Sequence, residues 1–86
     1  MTIYLMDEPY ADVGLSYAAN DPEARVVLVQ DAVYLARGGG LKGRVYAIAD
    51  DVSRRGIGGS IDSGVGLIGY DELVKMMEAE RVVCFL

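Results

Sequence analysis

Apolar positions along this chain come in short blocks separated by polar breaks, and the blocks set the elements. Val26, Val27, Leu28 and Val29 form an unbroken β-branched and aliphatic run, too short for a helix of its own. Such a run predicts a strand buried on both faces, the habit of a parallel sheet. Gln30 and Asp31 end it with polar groups, and Ala32, Val33, Leu35 and Ala36 follow before Gly38, Gly39 and Gly40. This spacing predicts a short helix capped by Asp31, whose carboxylate can accept from the free N–H groups of the first turn, and stopped by the glycines. A hydrophobic strand whose polar end opens a helix is half of a βαβ unit. Ligands and contacts of open α/β sheets gather at that carboxyl edge. Gln30 and Asp31 stand on it.

The same rhythm extends both ways. Thr2 to Met6 reads as a strand ended by Asp7, Glu8 and Pro9. Asp12 to Ala19 reads as a helix with Val13, Leu15 and Ala19 on its apolar face, and Asn20, Asp21 and Pro22 make a turn. Past a loop from Gly38 to Gly43, Arg44 to Ala49 predicts a third strand. Asp50 or Asp51 then caps a helix that carries Val52 and ends at Arg54, Arg55 and Gly56. Gly58 to Ser63 is irregular and Val65 to Ile68 is a fourth strand. Asp71 to Glu80 is a helix with Leu73, Val74, Met76 and Met77 for burial, and Arg81 to Leu86 is a last strand. Strand and helix alternate throughout, with connections long enough for parallel, right-handed crossovers. No linker, sequence repeat or low-complexity tract divides residues 1–86, so one domain is expected.

Composition narrows the function. With 86 residues the core is small, although 52% hydrophobic content fills it, and oligomerisation is expected to supplement it. A net charge of -5 without a basic cluster argues against direct nucleic-acid binding. There is no histidine, hence neither the commonest general base nor a Ser-His or Cys-His pair. The lone cysteine, Cys84, permits no internal disulfide. No signal sequence and no membrane-spanning run is seen, so a cytoplasmic protein without membrane contact is expected.

Several motifs resolve to bland readings. Gly64-Val65-Gly66-Leu67-Ile68-Gly69 matches the dinucleotide fingerprint in form, but its glycines fall inside the predicted strand and not between strand and helix. Gly38 to Gly43 lacks the Gly-Lys-Ser/Thr of a phosphate loop, and Gly56 to Gly59 reads as a surface loop. Cys84, within an apolar strand, is expected to be a small buried hydrophobe. Asp31, Asp50, Asp51 and Asp71 stand at three strand-to-helix junctions and read as caps, since no histidine completes a metal site. Tyr34, Tyr46 and Tyr70 read as core or interface aromatics. No catalytic residue, metal or cofactor is expected. The candidates for an interface or pocket are Gln30, Asp31, Tyr34, Asp50, Asp51, Arg54 and Tyr70.

Three ordered blocks go further. Val27-Leu28-Val29-Gln30-Asp31-Ala32-Val33-Tyr34 resembles the "LLIQDGVY" block of the DsrH/TusB family, small sulfur-relay proteins of the DsrEFH group. The segment from Val45 to Gly56 resembles that family's "VYALxEDLxARG", and Ile68 to Val74 is similar to its "IDYxxFV". The opening departs from the family, with Ile3-Tyr4-Leu5-Met6-Asp7-Glu8-Pro9 in place of "LHxxxxSP". The resemblance implies a three-layer α/β/α fold on a five-stranded parallel sheet in the order 4-3-2-1-5. It also implies assembly as a dimer or as a heterohexamer with DsrE-like and DsrF-like subunits. Such complexes pass persulfide sulfur between cysteines, toward tRNA 2-thiouridine synthesis or sulfur oxidation. The active thiol is chiefly that of the DsrE-like subunit, and some DsrH proteins add a cysteine on the first helix. Here that place holds Ser16, whose hydroxyl cannot carry a persulfide. The expectation is a non-catalytic relay subunit. The alternative is a stand-alone homo-oligomeric module for ligand binding or assembly.

Overall fold

In the computed structural model, residues 2–37 and 44–86 are described. The loop and helix stop assigned to Gly38, Gly39, Gly40 and the residues up to Gly43 lie outside them. Strand β1 (Thr2–Met6) leads to helix α1 (Ala11–Ala19), then strand β2 (Ala24–Leu28) to a 3-10 segment (Gln30–Ala36). Strand β3 (Arg44–Ile48), helix α2 (Ala49–Arg54) and a 3-10 turn (Gly58–Ser60) follow. Strand β4 (Gly66–Ile68), helix α3 (Tyr70–Ala79) and strand β5 (Arg81–Phe85) close the chain. Every pairing is parallel, in the order β4-β3-β2-β1-β5, as the resemblance implied.

Strand alternation divides the core between the two faces. Met6, Val26, Leu28, Val45 and Ala47 face α1 and the 3-10 segment, which add Ala11, Ala18, Ala32, Val33 and Ala36. Ile3, Leu5, Val27, Val29, Ile48 and Ile68 face the other way, toward Leu73 and Met76 of α3. The run Val26 to Val29 is buried along its whole length. Among the described residues no helix is long and apolar enough to cross a membrane.

Two helices turn differently from their predicted phase. Helix α1 buries Ala11, Gly14 and Ala18 and packs Leu15 partly against the core, but leaves Val13 and Ala19 exposed. A Cβ on Gly14 would lie 3.0 Å from Met6 Sδ and 3.0 Å from Phe85 Cδ2, so this helix sits on the sheet too closely for larger side chains. In α3 only Leu73 is buried; Met76 packs partly, while Val74 and Met77 are exposed. Leu73 and Met76 share one stripe at helical spacing, and Val74 and Met77 lie on the next stripe round, off the sheet. Burying Leu73 contributes roughly 2 kcal/mol.

Helix α2 ends as predicted, and the ending is a Schellman motif. Gly56 takes φ 64°, Gly56 N–H donates to Ser53 at 3.1 Å and Ile57 N–H to Val52 at 3.4 Å. Ile57 and Val52 both enter the core. The glycine pattern at Gly64 to Gly69 has a packing reason in Gly66, where a Cβ would meet Tyr46 Cδ1 at 2.8 Å. Cys84 differs from its predicted burial. It is exposed, because β5 forms an edge of the sheet that α3 does not cover at that point.

Candidate functional site

The carboxyl ends of β2, β3 and β4 meet at one carboxylate. Asp51 is 0% exposed; its Oδ2 accepts the backbone N–H of Gln30 at 2.9 Å and the hydroxyl of Tyr70 at 2.9 Å. Three consecutive strand-to-helix junctions are thereby tied together. Asp51 Oδ1 has no hydrogen-bond partner among the described residues, but the guanidinium groups of Arg54 and Arg55 approach it at 3.8 and 3.9 Å. Those two donors and two cations offset the desolvation of a fully buried carboxylate.

Gln30 has φ 49°, in the left-handed region that costs a side-chain-bearing residue about 1–2 kcal/mol. The strain persists because Asp51 holds the Gln30 amide. A strained backbone fixed by its surroundings is a feature of binding sites. The Gln30 side chain is exposed and makes no hydrogen bond among the described residues. It is free to meet another molecule.

Asp31 and Asp51 are not caps, contrary to the sequence expectation, and neither is Asp50. The N-cap positions are Val29 and Ile48, neither with a side-chain cap. Helix α2 begins directly at the end of β3, which puts Asp51 in its first turn with the carboxylate aimed inward. Asp31 Oδ1 instead accepts from Arg55 Nη2 at 2.9 Å and Nε at 3.1 Å, while Arg55 Nη1 donates to the Asp51 carbonyl at 3.1 Å. The bond to Asp31 raises the Arg55 pKa further above its ordinary value, against some opposing desolvation. At α3 the N-cap is Gly69, whose N–H donates to Glu72 Oε1 at 3.4 Å, with Asp71 exposed in the first turn.

Burial first, then the bond donated to Asp51 and the charge of Asp51, push the Tyr70 hydroxyl above its ordinary pKa. Tyr70 is thus a donor in this site and not a base. Of the seven candidates, Gln30, Asp51 and Tyr70 are joined directly. Asp31 joins through Arg55, and Arg54 lies at the margin with its side chain 69% exposed. Tyr34 stays outside the hydrogen-bonded cluster; its ring carries the Arg37 guanidinium 5.2 Å from the centroid, a cation–π contact. Asp50 is exposed and also stands apart. Arg55 escaped the sequence reading because a basic residue in a helix's last turn already has an adequate local explanation in the helix dipole. Only its reach to Asp31 on another element gives it a further role.

No group of three His, Cys, Asp or Glu among the described residues is arranged to hold a metal. The constellation donates and accepts hydrogen bonds and presents charge; it holds no thiol. The DsrH-like protein family matches residues 9–83 of the chain. In fold the chain is similar to the crystal structure of the ychN protein from E. coli. The TM-score is 0.71 at 18% identity, over 98% of this chain and 97% of that one. At this identity the likeness is one of fold. No curated protein matches the chain significantly.

Proposed function

The chain belongs to the DsrH family, and from that premise we propose that it is a non-catalytic subunit of a cytoplasmic sulfur-relay complex. Its Gln30–Asp51–Tyr70 edge docks DsrE-like and DsrF-like subunits, whose cysteines carry the persulfide toward tRNA 2-thiouridine synthesis or sulfur oxidation. One observation carries this reading. Each of the three family-like blocks contributes one member of a single hydrogen-bonded cluster: Gln30 from the first, Asp51 from the second and Tyr70 from the third. Blocks far apart in sequence share a site of hydrogen-bond donors, acceptors and charge, which suits contact with a partner.

The thiol inventory supports the non-catalytic part. Ser16 is exposed on α1 and its hydroxyl cannot bind sulfane sulfur. Cys84 is exposed as well, but on β5, which β1 separates from β2 and from the cluster. Light scattering of the protein alone and mixed with DsrE-like and DsrF-like subunits tests the reading. A mixed assembly that Gln30→Ala weakens is expected. A particle unchanged by those subunits would overturn the relay role. Intact-mass analysis after incubation with a persulfide donor checks the second half, with no stoichiometric one-sulfur adduct on Cys84 expected.

A further inference from the structure

Helix α1 carries its apolar residues in an unusual distribution. The stripe against the sheet consists of Ala11, Gly14 and Ala18 with Leu15 partly packed beside them, while Val13 and Tyr17, with Tyr10 just before the first turn, point outward. Tyr10, Val13 and Tyr17 follow helical spacing and are 51%, 50% and 61% exposed. An amphipathic helix of an isolated domain ordinarily turns its largest apolar groups inward. This one turns Leu15 inward but keeps Tyr10, Val13 and Tyr17 outside.

The stripe is also pre-ordered. The Tyr17 ring stacks on Phe85 at 5.6 Å between centroids, and Phe85 stacks on Tyr4 at 6.4 Å. A tyrosine already held on one ring face loses little conformational freedom when a partner covers the other, and such residues dominate binding energies.

Charge identifies the occupant. The stretch that leads into and opens α1 carries Asp7, Glu8 and Asp12, and residues 2–24 hold not one lysine or arginine. A second copy docking here about a two-fold axis would set this acidic rim against itself, within a chain of net charge -5. We propose that the outer face of α1 is the docking surface for a different protein, whose contact face combines apolar side chains with lysine and arginine. The surface lies on the β1–β5 side of the sheet and does not depend on the relay reading.

The test uses the full chain and a labelled synthetic amphipathic helix of leucine and lysine, with a twin in which glutamate replaces lysine. Fluorescence anisotropy should detect binding of the lysine peptide, weakened by salt and by Asp12→Lys, and no binding of the twin. Tyr17→Ser should weaken it about tenfold, equivalent to about 1.4 kcal/mol. Val13→Ser, which leaves the aromatic stack intact, should weaken it in the same direction. Val74→Ser, at an exposed apolar position on α3, should leave it unchanged. Binding of neither peptide, equal binding of both, or equal effects of Val13→Ser and Val74→Ser would overturn the proposal.

Discussion

The two sides of the sheet are held by different physics. Along β2, β3 and β4 a buried carboxylate ties three junctions through directional bonds, each with one donor and one place to go. Along β1 and β5 the Tyr4–Phe85–Tyr17 stack and the close seat of α1 depend on shape and area. Directional bonds hold Gln30 in a conformation its own residue type disfavours. Packing cannot impose that, but it tolerates exchange of atoms as long as volume is kept. The polar side is therefore suited to exact presentation of one side chain, and the apolar side to adhesion. Substitutions should divide along the same line.

The largest effect is expected at the centre of the polar side. Asp51→Ala leaves the Gln30 amide and the Tyr70 hydroxyl without their acceptor, and should cost about 3 kcal/mol in urea unfolding. Asp51→Asn retains an acceptor oxygen and should lose less. Near-equality of the two would mean that charge, not hydrogen bonding, holds the junctions. On the apolar side the corresponding blow is steric. Gly14→Leu meets Met6 and Phe85 and should cost roughly 1–3 kcal/mol, much of it recovered when Met6→Ala opens space in the double variant.

Smaller effects sharpen the contrast. Tyr70→Phe should lose about 1 kcal/mol at neutral pH. Because the folded-state pKa of Tyr70 is raised above its ordinary 10.0, its contribution is intact below that value. It is lost as pH rises through the folded value, so Tyr70→Phe should flatten the alkaline fall in stability while Tyr4 is common to both proteins. Gln30→Gly removes the left-handed strain and should raise stability by less than about 1 kcal/mol, since glycine also gains freedom in the unfolded chain. The same change should weaken assembly with partner subunits; if assembly is untouched, Gln30 is not a contact. Smallest is Asp31→Asn. Its carboxylate is 68% exposed against Arg55, and pairs of this kind add little stability. The melting temperature should hold, and partner titration should report whether the charge at Asp31 is used.

The candidate site was partly legible. Gln30 and Asp51 mark polar interruptions at the ends of apolar runs, and that placement alone directs attention to them. Their roles were not legible. A carboxylate at a strand-to-helix junction fits a cap so well that nothing local distinguishes Asp51, which binds across elements, from Asp50, which is exposed one residue earlier.

What the sequence by itself determined is the set of elements and their parallel, alternating order. Blocks of apolar residues, polar junctions and C-terminal glycines act within a few positions of themselves, and the run at β2 reads as a strand buried on both faces. Helix phase was decided by tertiary structure. The inner stripe of α1 is set by the height of Met6 and Phe85 above the sheet, and the stripe of α3 by how much sheet one helix can cover. The exposure of Cys84 was decided in the same way, by its strand standing at an edge. The partners of Asp51 come from segments far along the chain. Their meeting depends on strand order, which no local pattern encodes.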